Sequence, residues 1–231
     1  MKRFYKIVTA VPAGDGFGVM LDGKPIKSPA KAAFVLPSRA LAEAVAAEWD
    51  AQAEAVVPSA MPLMQLAATA IDKVAPNRDL IIDTIAPYGG TDLLCYRAEA
   101  PAALVQRQHA VWQPLLDWAM TAHDAPLVVT AGIVHKAQPA ASLAALRAAV
   151  AAQDHWRLTA LHQATALTGS LVIGLALLAG RIDADAAFEA AELDASFQIE
   201  RWGEDAESTT RRAALRDELQ AAARLADLAA R

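Results

Sequence analysis

Cysteine is almost missing from this chain, since the 231 residues contain only one, Cys95. A single cysteine excludes an internal disulfide framework and a zinc site built from several cysteines. It also fits a reducing compartment. Cys95 stands in the apolar run Leu93-Leu94-Cys95-Tyr96, and apolar surroundings raise the pKa of a thiol. We therefore expect a buried structural cysteine and not a nucleophile.

The chain also lacks an excess of positive charge and a long apolar run. Its formal net charge is −5, which argues against a basic face for non-specific nucleic-acid binding. The strictly apolar residues 171–179 are far fewer than the ~20 residues of a membrane span, so they predict a buried helix. Lys2, Arg3 and Lys6 precede only a brief apolar run, and we expect neither a secretory signal nor a transit peptide.

Signatures of common catalytic machinery are missing as well. The sequence has no GxxxxGK(S/T) phosphate loop, no GxSxG nucleophile elbow and no HExxH zinc motif. Among the five histidines, His155 and His162 could share a helix face, but no cysteine or carboxylate follows at a matching spacing. The glycines at residues 14–18 favour a hairpin turn over a phosphate cradle. We expect no catalytic residue, no cofactor and no metal.

The first 36 residues are typical of a small antiparallel sheet. Residues 4–9 and 17–21 are the strand candidates, with a turn at Gly14-Asp15-Gly16. Asp22-Gly23 predicts a type I′ hairpin turn, because both residue types tolerate a positive φ.

A helix is predicted next, with Ser38 as its N-cap. Leu41, Val45 and Trp49 follow at intervals of four residues and form one apolar stripe. We expect this stripe to cover the sheet, with Trp49 packed beneath it.

Beyond Pro58 the apolar periodicity is helical almost throughout. Helices are predicted at residues 62–74, 77–86, 101–121, 139–152, 154–180 (divided around Gly169), 184–201 and 205–229. Residues 127–129 predict a short extended piece. The fold class is therefore predicted to be α+β. A small N-terminal β-rich α+β domain would span residues 1–70, followed by a larger all-α helical domain over residues 71–231.

Trp202 stands in an acidic turn, beside Glu200, Glu204 and Asp205, where Gly203 is predicted to end a helix. Three interpretations are open. The acids could perform general acid–base chemistry, stabilise the start of the next helix through its dipole, or form a contact patch for a partner protein with the tryptophan as its anchor. The spacing alone does not choose among them.

Seven segments stand out when they are taken in order. They are Arg3-Phe4-Tyr5-Lys6, residues 21–29, residues 47–52, Met61-Pro62-Leu63 leading to Ala70-Ile71-Asp72, residues 91–97, residues 167–171 and Gln198-Ile199-Glu200-Arg201-Trp202-Gly203. Together they resemble the ATP synthase F1 assembly chaperones that bind the α subunit, a family of mitochondria and α-proteobacteria. The resemblance covers nearly the whole chain.

The resemblance implies an assembly chaperone that binds the unassembled F1 ATPase α subunit without nucleotide hydrolysis. Such a chaperone prevents aggregation of the α subunit until a β subunit replaces it. We expect the bacterial form, a monomer in the cytoplasm, whose eukaryotic counterpart works in the mitochondrial matrix. Our hypothesis for the partner-binding surface is Glu200, Trp202, Glu204 and Asp205.

Two other functions stay open at this point. One is a small-molecule enzyme with a site between the two domains, which would need a deep pocket with converging polar groups. The other is a structural interaction module with no release cycle.

Overall fold

The N-terminal part of the chain folds into a three-stranded antiparallel sheet, in a computed structural model that describes residues 2–230. Its strands are β1 (Val8–Ala13), β2 (Gly16–Leu21) and β3 (Lys24–Pro25). Asp22 and Gly23 connect β2 to β3 with φ angles of 48° and 78°. The predicted hairpin turn is therefore confirmed, since a type I′ turn needs a positive φ at both central residues.

The first strand begins later than predicted, at Val8 instead of residue 4. The cause is the side chain of Asp22. Its Oδ1 accepts hydrogen bonds from the backbone N–H groups of Lys6 at 3.1 Å and Ile7 at 2.8 Å. These two donors are thus bonded to a carboxylate and not to a neighbouring strand, which the apolar pattern of residues 4–9 could not indicate.

Helix α1 (Arg39–Asp50) packs against β1 and β2. Its N-cap is Ser38, as predicted, whose hydroxyl oxygen accepts a hydrogen bond from the Leu41 N–H at 3.0 Å. Leu41 and Val45 are completely buried, so the predicted apolar stripe does face the sheet. The helix therefore forms where a cap and a four-residue apolar period coincide.

Trp49 ends this stripe and is half-buried. It packs against a cluster of buried residues that includes Tyr5 and Leu21. The rings of Tyr5 and Trp49 meet edge to face at 5.6 Å, and the Tyr5 hydroxyl donates to the Trp49 carbonyl oxygen at 2.7 Å. The predicted position of Trp49 is confirmed. Its indole Nε1 is buried and has no hydrogen-bond partner among the described residues.

The rest of the chain is mainly helical, which confirms the α+β fold class. The remaining helices are α2 (Pro62–Thr69), α3 (Arg78–Ile85), α4 (Ala102–His123), α5 (Ala140–Ala151), α6 (His155–Thr168), α7 (Leu171–Leu178), α8 (Ala184–Ala191), α9 (Leu193–Trp202) and α10 (Ala206–Ala229). A π-helical turn at Ala70–Val74 and a 3-10 turn at Ala75–Asn77 join α2 to α3. The predicted break near Gly169 separates α6 from α7.

The described residues divide into two units. The N-terminal unit contains the chain up to Arg78, the segment His155–Ala160 and the chain from Ala221 on. The helical unit contains Asp79–Asp154 and Leu161–Gln220. The domain boundary at residues 70 and 71 stays a prediction.

Helix α7 forms the centre of the helical unit, because all eight of its residues are buried. A Cβ at Gly174 would lie 2.8 Å from Thr165 Oγ1 and 2.9 Å from Leu161 Cδ1, so glycine permits the close approach of α6. No helix in residues 2–230 is long and apolar enough to cross a membrane.

The N-terminus of α7 is fixed by the completely buried carboxylate of Asp92. This carboxylate accepts hydrogen bonds from the hydroxyl of Ser170 at 2.7 Å and from the N–H groups of Val172 at 3.0 Å and Leu94 at 3.1 Å. Ser170 in turn caps α7 by accepting from the Ile173 N–H. Burial raises the pKa of Asp92 to about 6, although the hydrogen bonds oppose that rise.

A short parallel pair joins β4 (Tyr96–Arg97) to β5 (Thr130–Ala131). The predicted extended piece at residues 127–129 lies just before β5. There, the Gln138 side-chain amide accepts from the Val128 N–H and donates to the Val128 carbonyl oxygen. The prediction is therefore displaced by a few residues, because a side chain takes the place of a strand partner at Val128.

We predict that Trp49→Arg lowers the free energy of unfolding by about 2–4 kcal/mol, because it removes aromatic burial and brings a charge against the apolar cluster. Trp49→Phe is the matched control. It keeps an aromatic ring, removes the unpaired indole N–H, and should cost less than about 1 kcal/mol. Urea unfolding of both variants measures the difference. Equal stability of Trp49→Arg and the parent chain would contradict this packing.

A second prediction concerns the pH dependence of stability. The folded chain holds the Asp92 proton more tightly than the unfolded chain, so the Asp92 contribution to stability falls as pH rises from about 4 to about 6. A pKa that moves from 3.8 to about 6 corresponds to about 3 kcal/mol. The stability advantage of the parent chain over Asp92→Asn should therefore shrink by up to this amount between pH 4 and pH 7. Urea unfolding at several pH values tests this, and an advantage that grows with pH would contradict it.

Candidate functional site

The acidic turn lies in the helical unit, between two consecutive helices. Helix α9 ends at Trp202 and α10 begins at Ala206. The predicted helix end at Gly203 is confirmed, since its N–H donates to the Ile199 carbonyl oxygen at 2.8 Å. Gly203 has φ 85° and ψ 169°, an extended conformation with positive φ that is essentially restricted to glycine. The chain therefore leaves α9 sharply and exposes its last residue.

Trp202 is 76% exposed and is therefore not a core residue. Its ring borders a shallow groove of about 240 Å³ in the same turn. The groove is lined by Ala195, Gln198, Ile199, Trp202, Gly203, Glu204, Asp205 and Ser208. An exposed tryptophan beside a groove is an arrangement that commonly anchors a protein interface.

The two glutamates of the turn are held by arginines. Glu200 receives two hydrogen bonds from Arg107, at 2.6 and 2.9 Å, and these bonds lower the pKa of its carboxyl group. Glu204 pairs with Arg212 at 3.3 Å. No spacing in the sequence links Arg107 to Glu200, because the two residues are 93 positions apart.

Asp205 has a different role, because it caps α10. Its carboxylate accepts a hydrogen bond from the Ser208 N–H at 2.7 Å, which is the standard N-cap contact. Of the three interpretations of the turn, stabilisation of the start of the next helix therefore describes Asp205. Glu200, bound bidentately to Arg107 as an anion, is poorly suited to general acid catalysis. The acids fix the shape of the turn around Trp202.

A break that the sequence did not predict lies just before this turn. Residues 184–201 were expected to form one helix, but Glu192 separates α8 from α9. The Glu192 carboxylate accepts from both nitrogens of the Arg211 fork, at 3.0 and 2.8 Å, and from Arg212 at 2.7 Å. Burial raises the pKa of Glu192, but the hydrogen bonds and charges of Arg211 and Arg212 outweigh burial and lower it. The break therefore depends on contacts with α10.

Arg212 joins this break to the acidic turn. Its guanidinium group contacts Glu192, Glu204 and the hydroxyl oxygen of Ser196, the last at 2.9 Å, and it lies over the Phe188 ring at 5.0 Å. One planar side chain thus ties α8, α9 and the residue after Gly203 together. The geometry around Trp202 is set in the free chain by these contacts.

The thiol and the histidines show no catalytic arrangement. Cys95 is buried, and burial raises its pKa to about 12 with a further contribution from Asp92, as expected for a structural cysteine. Burial lowers the pKa of His123 and of His162. In residues 2–230 no group of three or more histidines, cysteines or carboxylates could hold a metal ion.

The segments that carry the resemblance meet one another inside the molecule. Four contacts join them in pairs: Arg3 to Asp50 at 3.1 Å, Ser28 to Asp72 at 2.6 Å, the Leu63 N–H to Glu48 at 2.8 Å, and Ser170 to Asp92 at 2.7 Å. Six of the seven segments therefore have a structural role in their own unit. None of these four contacts involves the seventh segment, residues 198–203, whose Trp202 is 76% exposed.

Comparisons with known proteins agree with one family. A family model described as ATP12 chaperone protein matches residues 2–120. The crystal structure of Atp12 from Paracoccus denitrificans is 44% identical, covers 99% of this chain and 98% of that protein, and superposes with a TM-score of 0.94. The Atu1473 protein from Agrobacterium tumefaciens is 41% identical, with a coverage of 98% of this chain and 85% of that protein and a TM-score of 0.94.

A eukaryotic relative is more distant. The protein atp12, mitochondrial, of Schizosaccharomyces pombe is 25% identical over 215 residues, which are 87% of this chain and 74% of that protein.

The buried carboxylate at the helix break gives a testable prediction. Replacing Glu192 by Gln removes charge-assisted hydrogen bonds and should lower the free energy of unfolding at pH 7 by about 1 kcal/mol. Because the folded chain lowers the pKa of Glu192, its contribution is present above the pKa of an unfolded glutamate and is lost as pH falls below about 4. Glu189→Gln, at an exposed position of α8, is the control. Urea unfolding at pH 7 and pH 3.5 measures both, and equal effects of the two substitutions would argue against this role.

Proposed function

Since this chain belongs to the ATP12 chaperone protein family, we propose that it binds the unassembled α subunit of F1 ATPase and protects it from aggregation. The β subunit then displaces the chaperone as F1 assembles. The cycle uses no nucleotide hydrolysis and no cofactor, and the chain acts as a monomer in the cytoplasm.

The observation that carries the proposal is the exposure of Trp202 in an otherwise internally bonded turn. Among the seven segments of the resemblance, two expose a large aromatic side chain: Trp202 in residues 198–203 is 76% exposed, and Phe4 in the first segment is 64% exposed. Tryptophan is the residue type most enriched among interface hot spots. We therefore assign the client-binding surface to Trp202 with Glu200, Glu204 and Asp205 around it.

The rigidity of the turn supports this assignment. Contacts of Glu200, Glu204 and Asp205 with Arg107, Arg212 and the start of α10 are already made in the free chain. A preorganised surface loses little conformational entropy on binding. The acids therefore act mainly by presenting Trp202 and secondarily by their charge.

Competition explains release without an energy source. An unassembled subunit exposes a large apolar surface, which is an aggregation hazard. We propose that this chain covers part of that surface and binds it less tightly than the native neighbour does. The β subunit can therefore replace it by mass action.

We predict that the purified chain suppresses aggregation of F1 α subunit diluted from denaturant, without ATP and at close to stoichiometric amounts. Light scattering follows aggregation. Trp202→Ser should weaken capture at least about tenfold, because a hot-spot aromatic contributes about 2 kcal/mol or more. Leu80→Ser is the matched control, since Leu80 is also in the helical unit and is 64% exposed.

The outcomes separate the parts of this proposal. Aggregation that continues unchanged, or suppression that needs ATP, would contradict the function. Equal loss with Trp202→Ser and Leu80→Ser would move the binding surface elsewhere. Charge reversal by Glu200→Lys with Glu204→Lys is less selective than Trp202→Ser, because it also places new lysines beside Arg107 and Arg212.

A further inference from the structure

The lysines of this acidic chain are concentrated near its N-terminus. Five of the seven lysines lie in residues 2–31, together with Arg3, whereas that stretch contains only two acids, Asp15 and Asp22. The whole chain carries a net charge of −5. Arg3 pairs with Asp50 at 3.1 Å and is offset by it, whereas Lys24 and Lys27 lie at a groove of the N-terminal unit.

The groove has a volume of about 330 Å³ and apolar walls. Phe4, Tyr5 and Trp49 line it, and successive pairs of these rings meet edge to face at 5.3 and 5.6 Å. Ile26 contributes an aliphatic side chain. Phe4 is 64% exposed, so the aromatic wall continues to the surface. Such a concave apolar site suits one large apolar side chain of a ligand.

The rim of the groove is basic. Lys24 and Lys27 line it, both are exposed, and in residues 2–230 no carboxylate pairs with either ammonium group. The acid on this rim is Asp22, whose oxygens are occupied by the backbone N–H groups of Lys6 and Ile7. Asp22 also attracts Lys24 electrostatically, but neither lysine forms an ion pair among the described residues, so both ammonium groups can meet a ligand.

We propose that this groove docks an acidic segment of a partner protein, which inserts one apolar side chain between Phe4 and Trp49 and places carboxylates beside Lys24 and Lys27. Charge complementarity selects the acidic segment, and the aromatic walls supply the binding energy. The site belongs to the N-terminal unit and does not depend on the Trp202 surface. A membrane surface is a poorer match, because peripheral membrane proteins insert a protruding apolar face and here the apolar side chains line a concavity.

The test uses the full chain and a fluorescent hexapeptide with a central Leu-Phe flanked on each side by two acidic residues. Fluorescence anisotropy at low salt should show saturable binding. Lys24→Glu with Lys27→Glu should weaken binding at least about tenfold, since it turns attraction into repulsion. The control is Lys73→Glu with Lys136→Glu, two exposed lysines outside the groove that give the same change in net charge. The control should leave binding unchanged.

Two further peptides separate charge from apolar contact. Replacing the acids of the peptide by lysines should abolish binding, and replacing Leu-Phe by Gly-Gly should weaken it strongly. Melting temperatures confirm that all variants are folded.

Three binding results would overturn the proposal. They are absence of saturable binding by the acidic Leu-Phe peptide, equal loss with the two lysine pairs, and binding to phosphatidylglycerol vesicles in place of the peptide. Self-association that the Lys24→Glu and Lys27→Glu pair abolishes, without peptide binding, would also overturn it and assign the groove to a second copy of the chain.

Discussion

A single buried carboxylate, Asp92, determines how the helical unit is assembled. Helix α7 is apolar and completely enclosed, so water cannot satisfy the N–H groups of its first turn. Asp92 and Ser170 supply the acceptors, and Asp92 also accepts from the Leu94 N–H in the 3-10 turn Leu93–Cys95. Removing these acceptors would leave several buried donors unpaired, which costs more than the bonds contribute. The residues around Asp92 and the first turn of α7 are therefore held together in a single arrangement, although they are far apart in the chain.

Carboxylates that accept hydrogen bonds from other segments also hold the N-terminal unit together, near its surface. Glu48 binds the first turn of α2 through the N–H groups of Leu63 and Met64, and Asp72 holds the loop at Ser28. In each case a carboxylate satisfies backbone or hydroxyl groups at the end of an element. These contacts bring together short sequence segments that are far apart in the chain. Segments that serve folding in this way say little about binding, and the exposed Trp202 is informative because it does not serve folding.

Local chemistry was sufficient to predict much of the fold. The caps at Ser38 and Gly203, the turn at Asp22-Gly23 and the stripe that ends at Trp49 depend on residues within a few positions of one another. The sequence also located the Trp202 turn. It could not predict which groups hold that turn, because Arg107 is 93 residues from Glu200. Nor could it predict the break at Glu192, which contacts Arg211 and Arg212 of α10. Such long-range pairs have no period or spacing by which a sequence could indicate them.

The position of Cys95 has a consequence for how the chain withstands oxidation. With a pKa of about 12, almost none of this thiol is ionised at neutral pH, and its burial keeps peroxide and other thiols away from it. The thiolate is the species that forms sulfenic acid and mixed disulfides. A chaperone that holds immature polypeptides meets their reactive cysteines at close range. Because its own sulfur is buried and protonated, this chain is not placed to form a mixed disulfide with a thiol at its surface.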